Sequence, residues 1–297
     1  MTVEQISHLL QQTLKKAATK PKVRPYKRRS SSLPFCQRRY ILEKRVQSDM
    51  HPGLSQTLDQ DLIMDTGTAA HTTIQRYLSL AGMLFGNWRC RRENWDTGQM
   101  CWHLETDKVG PVYCPKCKSL MVYEEYKVQD PVSLFTGRPD GLLIFPKLER
   151  YASVVRILLE IKTISDHLLT NLTMPKFDHM MQASFYGMTM PLCYPELIPE
   201  VDYIVYLYVS RGYPSTRKIL VMPPLDKSLT ILRDSITQVE NEYLLQGILP
   251  LGICNNAADG HKRYCPWAGL CFSPMIESML LPVSAIQDQP VSASILD

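Results

Sequence analysis

No run of eighteen apolar side chains occurs in the 297 residues, and the N-terminus carries no continuous apolar stretch of the kind found in signal peptides. A membrane-spanning helix needs about 20 such residues, so neither a membrane span nor a secretory address is expected. An excess of one charge is also missing. The 33 basic and 29 acidic residues leave a net charge of +4, which excludes a protein that coats nucleic acid along its whole surface. Internal repeats are absent as well. A chain of this length then has room for one α/β domain of about 200 residues plus additions.

Cysteine, by contrast, is plentiful. Nine cysteines without a secretory address argue for a reducing compartment and for metal sites rather than disulfides. The positive charge is unevenly placed, in Lys15 to Arg29 with eight Lys or Arg, then Lys44 to Arg45, Arg89 to Arg92, and Lys262 to Arg263. That spacing suits a local DNA track. Residues 1–34 read as a basic, flexible leader with a short amphipathic helix marked by Val3, Ile6, Leu9, Leu10 and Leu14. Such a segment is either a counterion-releasing contact to nucleic-acid backbone or a solvated arm.

The densest chemistry lies between Gly137 and Lys162: Gly-Arg-Pro-Asp-Gly-Leu-Leu, a spacer, then Leu-Leu-Glu-Ile-Lys. Residues two apart on a strand share a face, so Glu160 and Lys162 point one way and Ile161 the other. If 140–145 and 154–160 form an antiparallel hairpin turning near Arg150, position sums are constant and Asp140 falls opposite Glu160. Directly opposed residues have Cβ atoms about 4.5–5.5 Å apart, so two carboxylates there can share one divalent ion. The run Val154 to Leu159 reads as a strand buried on both faces, where an unpaired charge is costly. Charges at the end of such a strand suggest a site.

Two helices carry further ionisable residues. Asp61 to Leu80 has a stripe of Ile63, Gly67, His71, Ile74 and Leu78, which turns His71 inward. Lys176 to Met190 places Gln182 and Tyr186 one turn apart on one side. Strands are expected near 121–128, 134–145, 153–163, 201–209 and 216–222, and a long helix from about 226 to 246. This α-βββ-α-β order gives a mixed central sheet with helices on both faces. Residues 283–297 read as a loose tail.

Cys90, Cys101, Cys114 and Cys117 lie in a polar segment bounded by Trp88 and Tyr123. Cys114-Pro-Lys-Cys117 is a zinc knuckle by spacing, and Cys90 and Cys101 complete a tetrahedral four-thiolate site for Zn²⁺. His103 is an alternative to Cys101, and a redox pair is an alternative to zinc. The segment, about 88–120, is expected as an insertion between the His71 helix and the first core strand. Cys193 reads as an ordinary buried thiol.

The sequence of motifs His71, Gly137-Arg138-Pro139-Asp140, Glu160-Ile161-Lys162 and Gln182-Ala183-Ser184-Phe185-Tyr186 resembles the PD-(D/E)XK nuclease superfamily. The likeness is strongest to its RecB-like branch, with the CRISPR-associated four-cysteine iron–sulfur exonucleases and related phage proteins, over about residues 34 to 272. The resemblance implies a restriction-endonuclease-like α/β core across 35–282. In it His71, Asp140 and Glu160 would hold Mg²⁺ or Mn²⁺, Lys162 would assist the attacking water, and Gln182 and Tyr186 would position the DNA backbone. A glutamate before the second strand joins some such sites, and Glu124 or Glu125 would serve.

The resemblance further implies a [4Fe-4S] cluster on Cys36, Cys254, Cys265 and Cys271, stapling the N- and C-terminal segments. Ten residues separate Cys254 from Cys265, where the family keeps its two cysteines close, and this leaves zinc as the alternative there. The implied activity is metal-dependent DNA hydrolysis, as an exonuclease on single strands or DNA ends in recombination, repair or processing. The implied partners are DNA and a helicase or recombination protein, in the cytoplasm of a bacterial or phage-infected cell. The alternative is a non-catalytic DNA-binding adaptor subunit, against which the retained Asp140, Glu160 and Lys162 argue.

Overall fold

The computed structural model describes residues 36–46, 58–93, 98–133, 135–145, 154–244, 246–250, 254, 265, 267–276, 278 and 280. The leader, the turn near Arg150, the Lys262–Arg263 pair and the 283–297 tail lie outside the described residues. In chain order the helices are α1 (Gln37–Arg45), α2 (Leu58–Leu80), α3 (Asp166–Thr170), α4 (Phe177–Cys193), α5 (Ser228–Gln238, running on as a π-helical turn Val239–Leu244) and α6 (Ala268–Cys271). The strands are β1 (Leu84–Arg89), β2 (Arg92–Glu93), β3 (Met100–Cys101), β4 (Leu104–Val109), β5 (Val122–Glu124), β6 (Val128–Gln129), β7 (Thr136–Gly137), β8 (Gly141–Phe145), β9 (Val155–Ile164), β10 (Tyr203–Ser210) and β11 (Arg217–Met222). Among the described residues, no helix is long and apolar enough to cross a membrane.

Two compact units divide the chain. Among the described residues, one takes those up to Asp61 together with those from Ile231 onward, and the other takes Leu62–Thr230. The second holds a seven-stranded mixed sheet of order β11-β10-β9-β8-β1-β4, with β5 also paired to β1. Its centre is β9, antiparallel to β8 and parallel to β10. Leu158, Leu159 and Ile161 are fully or almost fully buried on it. A strand with neighbours on both edges and layers on both faces has no room for the polar alternation of a surface strand. The β8–β9 register pairs Gly141 with Leu159 and Leu142 with Leu158, so Asp140, one place earlier, comes opposite Glu160.

The helices settle onto this sheet where side chains are small or apolar. A Cβ on Gly67 of α2 would sit 3.4 Å from Thr163 Oγ1, so the helix lies close over the end of β9 with His71 and Gln75 one and two turns further on. Ile63 is exposed, and the inward stripe therefore begins at Gly67. On α4, residues Ala183 to Gly187 are buried. There Ser184 Oγ accepts the backbone N–H of Leu225.

The expected first core strand needs correcting. The run 121–128 yields only β5 and β6, and 134–145 splits into β7 and β8 around Pro139. The main-sheet strand between helix and insert is β1, which pairs with β8 through Leu84–Leu143 and Phe85–Leu142. The cysteine segment is likewise not a separate polar insertion. Its strands β4 and β5 both pair with β1, and Cys90 and Cys114 share an apolar cluster with Leu84, Trp88, Met121 and Leu143. Gly86 permits this. A Cβ there would stand 2.5 Å from Tyr123 Cε2, so Gly86→Ala should destabilise the fold by about 1–3 kcal/mol in a denaturant melt, with Tyr123→Ala partly restoring it.

The other unit joins distant parts of the chain through α1. Ile41 packs with Val239, and Leu42 and Val46 with Trp267 and Ile276. Arg38 donates to the carbonyls of Pro250 and Cys271, at 3.1 Å each, and Arg45 donates to Gly247 at 2.7 Å. Cys36 caps α1, its sulfur accepting the N–H of Arg39 at 3.4 Å.

Candidate active site and cysteine centres

His71, Asp140, Glu160, Lys162, Gln182 and Tyr186 come together in two hydrogen-bonded series, His71–Asp140 and Glu160–Lys162–Gln182–Tyr186, set side by side where Asp140 comes opposite Glu160. Asp140, in the turn made by Pro139 and Gly141, accepts from the Ile161 backbone N–H through Oδ2 at 2.6 Å and pairs through Oδ1 with His71 Nδ1 at 3.0 Å. Lys162 Nζ lies 2.6 Å from Glu160 Oε1 and donates to Gln182 Oε1 at 3.0 Å. The amide of Gln182 in turn donates to Tyr186 Oη at 2.8 Å. The helical i, i+4 spacing lets one α4 face serve as both clamp and support for the lysine.

Two further residues belong to this cluster. Gln75, one helical turn beyond His71, donates from Nε2 both to Glu125 Oε1 at 3.0 Å and to the Asp140 carbonyl at 2.7 Å. Of the two glutamates left open by the sequence, Glu125 is the one brought to the site. Glu124 pairs with Arg89 at 2.9 Å instead. Gln75 was legible from the periodicity that singled out His71, since it continues the same face. On the far side, Tyr208 neighbours Lys162 across the parallel β9–β10 register, and its hydroxyl contacts His179 Nδ1 at 2.8 Å.

The electrostatics are those of a place waiting for positive charge. Glu160 is only 2% exposed, and its Oε2 has no hydrogen-bond partner among the described residues. Burial pushes the Glu160 carboxyl up to about 7 against the pull of Lys162. Burial and then the Asp140 charge raise the Glu125 carboxyl too. Burial lowers the His71 imidazole, but its hydrogen bond to Asp140 and the charge of that carboxylate outweigh the loss, and the net shift is upward. For Lys162 burial is likewise overcome, by the charges of Glu160 and Asp140, so its ammonium is held more firmly than in water. An unpaired buried carboxylate oxygen costs several kcal/mol unless a cation or proton meets it. Carboxylates are oxygen donors suited to hard divalent cations, and the imidazole is a nitrogen donor beside them.

The second centre is the four-cysteine group. The sulfurs of Cys90, Cys101, Cys114 and Cys117 all lie within 4.8 Å of one another, so this set could hold a metal ion. Cys101 supplies the fourth sulfur, and His103 is committed to Glu105 at 2.8 Å. Burial pushes the Cys90 thiol up to about 11, whereas hydrogen bonds from Ser119 pull Cys117 down to about 6. A thiolate is the ligand form, so Cys117 is the member already favoured for metal.

In the other unit, burial raises the Cys265 thiol, which also feels the neighbouring Arg39, Cys36 and Cys271. Cys254 is half-buried, as is Cys265. Cys193, outside both groups, donates to the Gln129 carbonyl at 3.3 Å.

No protein-family model matches the chain, and no curated protein matches it. Among solved structures, the crystal structure of an alkaline exonuclease from Laribacter hongkongensis matches with 14% identity over 61% of this chain and 68% of that one, at a TM-score of 0.34.

Proposed function

We propose that the chain is a metal-dependent deoxyribonuclease of PD-(D/E)XK type, hydrolysing phosphodiester bonds as an exonuclease on single strands or DNA ends. The observation that carries this reading is the buried, unpartnered Oε2 of Glu160, set opposite Asp140 and beside Lys162. His71, Asp140 and Glu160 would hold the ion. Mg²⁺ or Mn²⁺ bound there would supply Lewis-acid polarisation of the scissile phosphate and lower the pKa of a water, so that it loses a proton to solvent and attacks as hydroxide.

The chain's own groups divide the remaining work. Asp140 is fixed by the Ile161 N–H, which prevents it from swinging away as charge changes. Lys162 stays an ammonium and serves as a donor to the negative charge that builds on the phosphate, not as a base. Gln182 aims Lys162, and Tyr186 aims Gln182. Glu125, steadied by Gln75, adds a further carboxylate.

The same reading places Zn²⁺ on Cys90, Cys101, Cys114 and Cys117. It places a [4Fe-4S] cluster on Cys36, Cys254, Cys265 and Cys271, a reading that the effect of Cys36 and Cys271 on the Cys265 thiol supports. A brown anaerobic preparation that turns colourless in Cys265→Ser is the expected result, and zinc in place of iron would count against the cluster. The setting is the reducing cytoplasm of a bacterial or phage-infected cell, beside a helicase or recombination protein.

Cleavage of end-labelled single- and double-stranded DNA with Mg²⁺ or Mn²⁺ tests the activity. Asp140→Ala and Lys162→Ala should each lower the rate by about 10²–10³-fold or more, with the circular dichroism unchanged, and Gln182→Ala by about tenfold. A folded protein that binds DNA but never cuts it would favour the adaptor reading.

A further inference from the structure

The strands around the four cysteines turn two large aromatic rings toward solvent, and the hydrolytic chemistry uses neither. Trp102 is 58% exposed and Tyr113 59%, while Trp88 nearby is buried. Aromatic side chains of this size usually bury most of their area, so a pair left open offers a face for another flat group. Both rings hang from one frame. Trp102 follows Cys101, Tyr113 precedes Cys114, and the sulfurs of those two cysteines lie 3.8 Å apart.

Basic side chains accompany each ring. Arg92 pairs with Cys101, and the Cys90 N–H donates to the His103 carbonyl at 2.8 Å. The same register sets Arg91 opposite Trp102. Tyr113 bridges Leu120 across the knuckle, on which Lys116 and Lys118 are exposed. Of the acids close by, Glu105 contacts His103, Asp107 accepts from the Tyr126 hydroxyl and Glu124 pairs with Arg89, while Glu93 lies exposed beside Arg92. The surface therefore combines exposed rings with exposed cations, which is the chemistry that holds a single strand: bases on the rings, phosphates past the cations. A duplex keeps its base faces hidden and has little to offer Trp102 or Tyr113.

We propose that this surface is a platform for single-stranded DNA, with Trp102 and Tyr113 as stacking residues and Arg91, Arg92, Lys116 and Lys118 as backbone contacts. It rests on the nuclease reading only for the choice of DNA over RNA. Equilibrium binding of fluorescein-labelled oligo(dT), oligo(rU) and a blunt duplex of equal length to the full chain, in the Asp140→Ala background so that no cleavage occurs, tests it. Trp102→Ala and Tyr113→Ala should each weaken oligo(dT) binding by about tenfold, Trp102→Phe by about threefold or less, and the duplex should change little. Arg91→Ala and Lys116→Ala should reduce the dependence of oligo(dT) affinity on salt concentration.

Unchanged oligo(dT) affinity in both alanine variants, an equal loss on the duplex, or tighter binding of oligo(rU) would overturn the platform. The two readings fail separately. A native chain that never cuts DNA, yet loses oligo(dT) through Trp102→Ala, sinks the nuclease and keeps the platform. A native chain that cuts while both alanine variants bind normally does the reverse.

Discussion

Glu160→Gln should yield a folded protein that has lost its response to Mg²⁺ or Mn²⁺. The substitution keeps the size of the side chain and removes the charge of the buried carboxyl, whose Oε2 has no partner among the described residues. In the native protein, a divalent ion at 100 times its dissociation constant adds about 2.7 kcal/mol of stability. For a chain of this size that is a rise in Tm of roughly 5–10 °C. The variant should show little of that rise, and cleavage should fall by about 10³-fold or more. A variant that keeps the full metal-induced shift would remove Glu160 from the ion site.

The native protein without added divalent ion should also lose stability as pH rises. The Glu160 carboxyl is raised from 4.5 to about 7, so the fold favours its protonated form. That contribution is fully present below pH 4.5 and is lost as pH climbs through about 7. His71, also raised, loses its contribution in the same direction, and Lys162 stays charged throughout. Thermal melts across this range should slope downward without added ion and flatten with Mg²⁺ or in Glu160→Gln.

Loss of the four-cysteine centre should be the largest blow to the fold. If the four sulfurs hold a structural metal ion, Cys114→Ser should abolish its binding and cost about 3 kcal/mol or more, lowering Tm by roughly 6–12 °C. The reason is that Cys90 and Cys114 are fully buried among Leu84, Trp88 and Leu143, so the centre and the sheet share one core. Hydrogen exchange should speed up first in β4 and β5 and then along β1. Cys193→Ser, at a thiol that exchanges hydrogen bonds with the Gln129 backbone in β6, should change stability by about 1 kcal/mol or less. Equal losses in the two variants would deny the centre a structural role.

The pairing of β8 with β9 was legible because both strands are buried apolar runs and the Pro139-Asp140-Gly141 turn fixes where β8 begins. Constant position sums then place Asp140 against Glu160 without any knowledge of the third dimension. The strand Leu84–Arg89 was not legible. Gly86 and Asn87 interrupt its apolar pattern, and the groups that bury it, Tyr123 and the cysteine cluster, come from later in the chain. A similar non-local cause hid Glu125. Nothing in its own neighbourhood separates it from Glu124, and the choice is made by Gln75, fifty positions earlier, and by Arg89, which claims the other carboxylate.

The two compact units have different histories during synthesis. Among the described residues, that of Leu62–Thr230 is continuous, so every residue of the candidate site emerges before the C-terminal partners of α1 are made. The other unit waits. Its helix α1 emerges early, but Trp267 and Ile276, against which Leu42 and Val46 pack, come more than two hundred positions later. At about 5–20 residues per second that is a delay of some 10–40 s. During it α1 keeps exposed the apolar face that Trp267 and Ile276 later bury, and Cys36 stands apart from Cys265 and Cys271. The Cys90–Cys117 group can therefore be loaded with metal before Cys265 and Cys271 have been made.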